Sequence, residues 1–142
     1  MPRVSVWLIR TSLLHLLSGA MLGAAYLMFK AGGWPLWAVS HRPVHVEQML
    51  VGWLVQLVIG VAFWILPRPA GHDPADRSGL MWLVFWLLNG GLLLAALAGD
   101  PHVPASLAPA GRIAETTAVL LFGWHGWHRQ RPYRAGASTL LV

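Results

Sequence analysis

The sequence predicts an all-α integral membrane protein, a bundle of four transmembrane helices, and three observations carry that expectation. Apolar residues make up 56% of the 142 and charged residues 11%, against roughly a quarter charged in soluble domains. Four apolar runs reach the ~18–20 residues needed to cross a hydrocarbon core. Of the ten Lys/Arg and five Asp/Glu, ten lie outside those runs and the other five toward their ends. The predicted spans are residues 4–30, 44–66, 80–98 and 110–127, joined by short connections into a single domain over 1–142. There is no cysteine, which excludes disulfides, iron–sulfur clusters and thiolate zinc sites.

The first span carries Ser12, His15, Gly19, Gly23 and Tyr26 on one face, and Gly19-x-x-x-Gly23 is a helix-packing signal. Its basic start and the small residues Ser18-Gly19-Ala20 have the outline of a signal peptide. The apolar run over 11–29 is longer than the ~7–15-residue core of such peptides, so the helix is expected to be retained. In the second span His45, Gln48, Gly52, Gln56 and Gly60 recur at spacings of three and four and so share a face. Small residues there admit either a neighbouring helix or a flat cofactor. The third span has Asn89-Gly90-Gly91 at its middle, and a buried amide requires a partner. The fourth opens with Arg112 and Glu115 at i, i+3, the spacing of a local ion pair. Trp7, Trp82, Trp124 and Trp127 near span ends read as interfacial anchors.

Charge sets the expected orientation. One set of connections carries Arg3, Arg10, Arg68, Arg77, Arg129, Arg131 and Arg134, the other only Lys30, Arg42 and Arg112. Positive charge collects on the cytoplasmic side, so the expected location is the bacterial cytoplasmic (inner) membrane, multi-pass, with both termini cytoplasmic. The net charge of +5 then reports orientation and not nucleic-acid binding.

Titratable groups at membrane depth are costly and mark functional sites. His45 sits in the first turn of a helix entering from the outer face, and His125 near the inner end of its own helix. The two differ in depth by roughly 20 Å, whereas ligands of one ion stand ~2 Å from it. Partners for His45 at its own depth are His41, His102 or another subunit. His15 and His125 have compatible depths for a second, inner site. His41, His72, His102 and His128 sit in loops or at interfaces, where a solvated histidine is the simpler reading.

Residues 42–68, RPVHVEQMLVGWLVQLVIGVAFWILPR, resemble the low-spin haem helix of the haem-copper oxidase superfamily, especially the catalytic subunits of cbb3-type oxidases and nitric oxide reductases. The likeness rests on Arg42-Pro43-Val44-His45 at the start and Pro67-Arg68 at the end. A second register, His-x-His-x5-Gly-Trp, matches His45, Gly52 and Trp53, with Glu47 where the family has its other histidine. Either register implies that His45 ligates haem b iron. The resemblance also implies a fold like one four-helix arc of the catalytic subunit, and by analogy a homotrimer that rebuilds the full ring with haem between subunits. The adjacent His-His pair and His-x-x-x-Tyr of the oxidase copper site are missing from the sequence, so no copper is expected.

The resulting expectation is a haem b-binding membrane protein for electron transfer or gas and redox sensing. Its site residues are His45, Gln48, Gly52 and Gln56, with His125, His15 and His102 as further metal-ligand candidates. Its partners are lipid, further copies of the chain or a respiratory-chain protein. The alternative is a cofactor-free accessory or scaffold subunit of a respiratory complex. A small transporter requires a continuous polar path, for which mid-span offers little beyond Gln56 and Asn89. No acid–base or nucleophile constellation marks an enzyme, and the residues leave that question open.

Overall fold

The computed structural model describes residues 1–66, 74–100, 102–104 and 106–127, without the side chains of 74–78. The Pro67-Arg68 stop, His72, His128 and the basic tail with Arg129, Arg131 and Arg134 lie outside the described residues.

The first helix, α1, runs without a break over Arg3–Gly32, because a Leu-, Ala- and Met-rich stretch free of proline has nothing to stop it. It ends at Gly33, whose φ of +74° lets its N–H reach back to Phe29 O at 2.6 Å. Glycine takes this left-handed cap without a Cβ penalty. A single turn, α2 (Trp37–Ser40), precedes α3 (Arg42–Glu47), where Pro43 occupies the start of the helix. Its missing N–H is an unpaired donor position in any helix. The backbone then widens into a π-helical segment, Gln48–Val55, and tightens again into α4 (Gln56–Ile65). Together these form one 24-residue helix, Arg42–Ile65, which ends as Leu66 turns extended (ψ 133°) ahead of Pro67. Two further helices come after it, α5 (Pro74–Leu97) and α6 (Leu107–Trp127).

The described residues hold four long helices and no strand. Three are long and apolar enough to cross a membrane: Arg3–Gly32, Arg42–Ile65 and Gly79–Leu97. The sequence predicts four spans. α6 has the length, 21 residues, but Arg112, Glu115, Thr116, Thr117 and His125 dilute its apolarity, and it stands outside that set.

The helices pack as two pairs. α1 lies along the whole of Arg42–Ile65, α5 lies against α6, and α5 joins the pairs through contacts with α1, α3 and the π-helical segment. One apolar core, with Leu8, Ile59, Phe63, Val84, Leu88 and Ala118 among its members, fills the Arg3 end of that junction. The outside is as apolar as the inside: Leu14, Met21, Ile65, Trp86, Ile113 and Leu120 are 64–68% exposed. Apolar surface on every side, far beyond what a water-soluble monomer presents, is the pattern of a membrane protein.

Candidate functional site

The polar residues that sequence spacing puts on one face of the second helix do share a face, and that face is turned onto α1. His45 Nδ1 lies 2.7 Å from Gly19 O. A carbonyl only accepts, so Nδ1 carries the proton and Nε2 keeps its lone pair. The imidazole rests in the space left by Gly23, where a Cβ would stand 2.7 Å from His45 Cε1. One turn further along, Gln48 Oε1 accepts a hydrogen bond from Ser18 Oγ.

The relation then reverses. His15 of α1 fills the space left by Gly52, where a Cβ would meet His15 Cγ at 2.7 Å and Cβ at 2.9 Å. His15 Nε2 stands 3.1 Å from Asn89 Oδ1. The Asn89 amide donates to Phe85 O at 2.8 Å, which turns its oxygen toward the histidine. Nε2 is therefore the protonated nitrogen of His15, and Nδ1 keeps the lone pair. The mid-span amide thus finds its partner on α1. Gln56, fully buried, donates to Leu8 O at 3.3 Å and to Thr11 Oγ1.

Gly23 and Gly52 therefore receive histidine rings from the opposite helix, while Gly19 receives Met49 and Gly60 receives Leu8 and Ile9. Sequence spacing allows either a helix or a flat cofactor against them; at Gly52 the His15 ring occupies that volume.

Arg112 and Glu115 do not form the local ion pair that their i, i+3 spacing suggests. Arg112, 63% exposed, reaches across to Glu47 on the second helix, Nε to Oε1 3.4 Å. Glu115 points inward at 6% exposure, its Oε1 without a partner, and its Cγ fills the space at Gly91. Glu47 on the second helix takes up the arginine, while Glu115 is buried against Gly91 of α5. Beside Glu115, Gly91 and Gly111 bring the α5 and α6 backbones together: a Cβ on Gly111 would lie 2.5 Å from Gly91 O. Gly111 lies outside the residues that the sequence singles out. Its one signal is spacing, since Leu107, Gly111 and Glu115 recur every fourth residue and share a face of α6.

The remaining histidines among the described residues are dispersed. His125 packs on Phe63, ring centroids 6.3 Å apart, whereas His15 sits beside Gly52; along the second helix these levels differ by roughly 15 Å, so His15 and His125 do not meet at one ion. His45, beside Gly19 and Gly23, is further still from His125. His102 is exposed in the loop before α6, its backbone N–H bonded to Asp100 Oδ1 at 2.8 Å. His41 Nδ1 is bound to Trp37 O at 2.8 Å, and His41 and Asp100 line one open groove between α2 and the end of α5. Among the described residues no three His, Asp or Glu side chains converge as a metal site.

No family model, curated protein or solved structure matches this chain. The likeness of residues 42–68 to an oxidase haem helix therefore rests on those residues alone. As a donor, His45 suits a metal: an imidazole whose Nδ1–H is fixed by a main-chain carbonyl presents Nε2 in a set orientation, as metal-bound histidines do.

Proposed function

We propose that this chain is a haem b-binding integral membrane protein of four transmembrane helices, with His45 as the axial ligand. The observation that supports the reading is the Nδ1–Gly19 O bond of 2.7 Å, which assigns the tautomer a ligand needs and leaves Nε2 for iron. The positive-inside pattern supports termini on the cytoplasmic side of a bacterial inner membrane, with His45 toward the outer face. With His41 turned to Trp37 O and His15 to Asn89, a second ligand to the haem would come from a further copy of the chain, which is how a homo-oligomer such as a trimer enters the proposal. Haem held by His45 would supply one-electron transfer or gas binding. Gln48 and Gln56, bonded to Ser18, Thr11 and Leu8 O, act by holding the second helix in register on α1. The test is the optical spectrum of detergent-purified protein expressed with haem supplied. A Soret band that shifts on reduction is expected, and it should be lost in His45→Ala.

A second reading is favoured by a different observation. Gly23 and Gly52 are each filled by a histidine of the facing helix, an interlock that serves packing by itself. On that reading the chain is a cofactor-free accessory or scaffold subunit of a respiratory complex. A colourless preparation under the same conditions supports it.

A further inference from the structure

Contacts between helices leave one flank of α1 unused. Arg3, Trp7, Arg10, Leu14, Leu17 and Met21 recur at spacings of three and four and so share a face. The second helix meets α1 on a different flank, at Leu8, His15, Gly19 and Gly23. Both arginines are exposed, and Trp7, Leu14, Leu17 and Met21 are 48–66% exposed. Neither arginine enters an ion pair among the described residues, where Arg112 and Glu47 form one.

Arg10 is the costly member of this face. Leu8 and Ile9 pack on Gly60, and from there the second helix runs on to Ile65, with Trp64 and Ile65 exposed. Arg10 therefore stands roughly 10 Å inside the apolar surface. A cation at such depth needs a counter-charge or a route to the headgroups. The Cα–Cβ bond of a helical residue tilts toward the N-terminus, which aims Arg10 along the Trp7 turn and not toward mid-span. The first turn of α1 has no side-chain cap and no acidic residue, so the positive end of its dipole adds to the same field.

We propose that this face binds one anionic phospholipid of the leaflet at the Arg3 end. Arg10 reaches the phosphate from the hydrocarbon side, and Arg3 adds positive charge nearer the surface. Trp7 sits between them at headgroup level, where indoles settle. An acyl chain runs along Leu14, Leu17 and Met21, so the site takes a lipid and not a free anion. A second copy docked here about a two-fold axis would set its own arginines against these, because such an interface uses one patch twice. The site is independent of the haem reading, since it lies on a different flank of α1 from His45.

The experiment titrates the detergent-purified full chain with phosphatidylglycerol or phosphatidylcholine of matched acyl chains and reads bound lipid by native mass spectrometry. The wild type should bind phosphatidylglycerol roughly tenfold or more tightly, the gain that two arginines give at a membrane surface. Arg3→Gln/Arg10→Gln should lose most of that preference. Arg129→Gln/Arg131→Gln removes the same charge from the basic tail and should keep it. Helical circular dichroism and a single size-exclusion peak establish that each variant is folded; if the first double variant is not, Arg10→Gln alone decides by losing part of the preference. Equal affinity of the wild type for the two lipids overturns the proposal. So does an equal fall in both double variants, which is charge attraction without a site. A wild-type dimer that separates in Arg3→Gln/Arg10→Gln overturns it too, since a second copy then covers the face.

Discussion

The two helix pairs solve the same packing problem with opposite means. Between α1 and Arg42–Ile65 two of the glycines open spaces that titratable side chains fill, His45 at Gly23 and His15 at Gly52, and Met49 and Leu8 fill those at Gly19 and Gly60. Between α5 and α6 the glycines face each other, and backbone meets backbone at Gly91 and Gly111. Without a solvent-driven hydrophobic gain between helices in lipid, close packing and interhelical hydrogen bonds hold them together. The α5–α6 pair uses the first and the α1 pair uses both. The labour is thereby divided: one interface is a fastening, and the other holds groups with chemistry of their own.

Substitutions should separate the two. The largest effect is expected at the backbone contact. Gly111→Ala drives a Cβ to 2.5 Å from Gly91 O and 3.1 Å from Ala95 N, atoms that cannot move without shifting a helix. A loss of about 1–3 kcal/mol, or more, is expected, read as a lower midpoint of thermal unfolding in detergent. At Gly52 the obstacle is a side chain, so the effect is conditional. Gly52→Ala alone should cost on the order of 1–3 kcal/mol, and the cost should largely vanish in a His15→Ala background. A double-mutant cycle measures that coupling; additive losses in the cycle contradict the interlock. Asn89→Leu removes the hydrogen-bond partner of His15 without entering a glycine space. About 0.6–2 kcal/mol is expected from interhelical bonds of this kind in membranes, measured by the same unfolding assay. Smallest is Arg112→Ala. An exposed pair at 3.4 Å is worth ~0–1 kcal/mol, so a midpoint within error of wild type is expected.

Much of this is legible in the chain. Hydropathy places the bounds of the four long helices to within three residues, except that α5 begins at Pro74 and not at residue 80, because a helix can run on past the apolar stretch that announces it. The shared face of His45, Gln48, Gly52 and Gln56 is implied by spacing and is found, despite the π-helical turn inside it. Spacing does not say what covers a face. Gly52 and Gly23 admit a cofactor or a side chain equally well, and only the register between helices shows that histidine rings fill them. Arg112 and Glu115 illustrate the same gap: i, i+3 allows contact, while the position of Glu47 on another helix redirects the arginine. Gly111 escapes notice in the sequence because its spacing with Leu107 and Glu115 gains meaning only once Gly91 is known to lie opposite.

The claim at the centre is that His45, tied through Nδ1 to Gly19, offers Nε2 to haem iron. The most direct test is a redox-resolved optical spectrum of the purified wild-type chain and His45→Ala, both expressed with haem supplied. A Soret band in the wild type, shifted by reduction and absent in the variant, is the predicted result. A colourless wild type, or a variant with full haem occupancy, would contradict it.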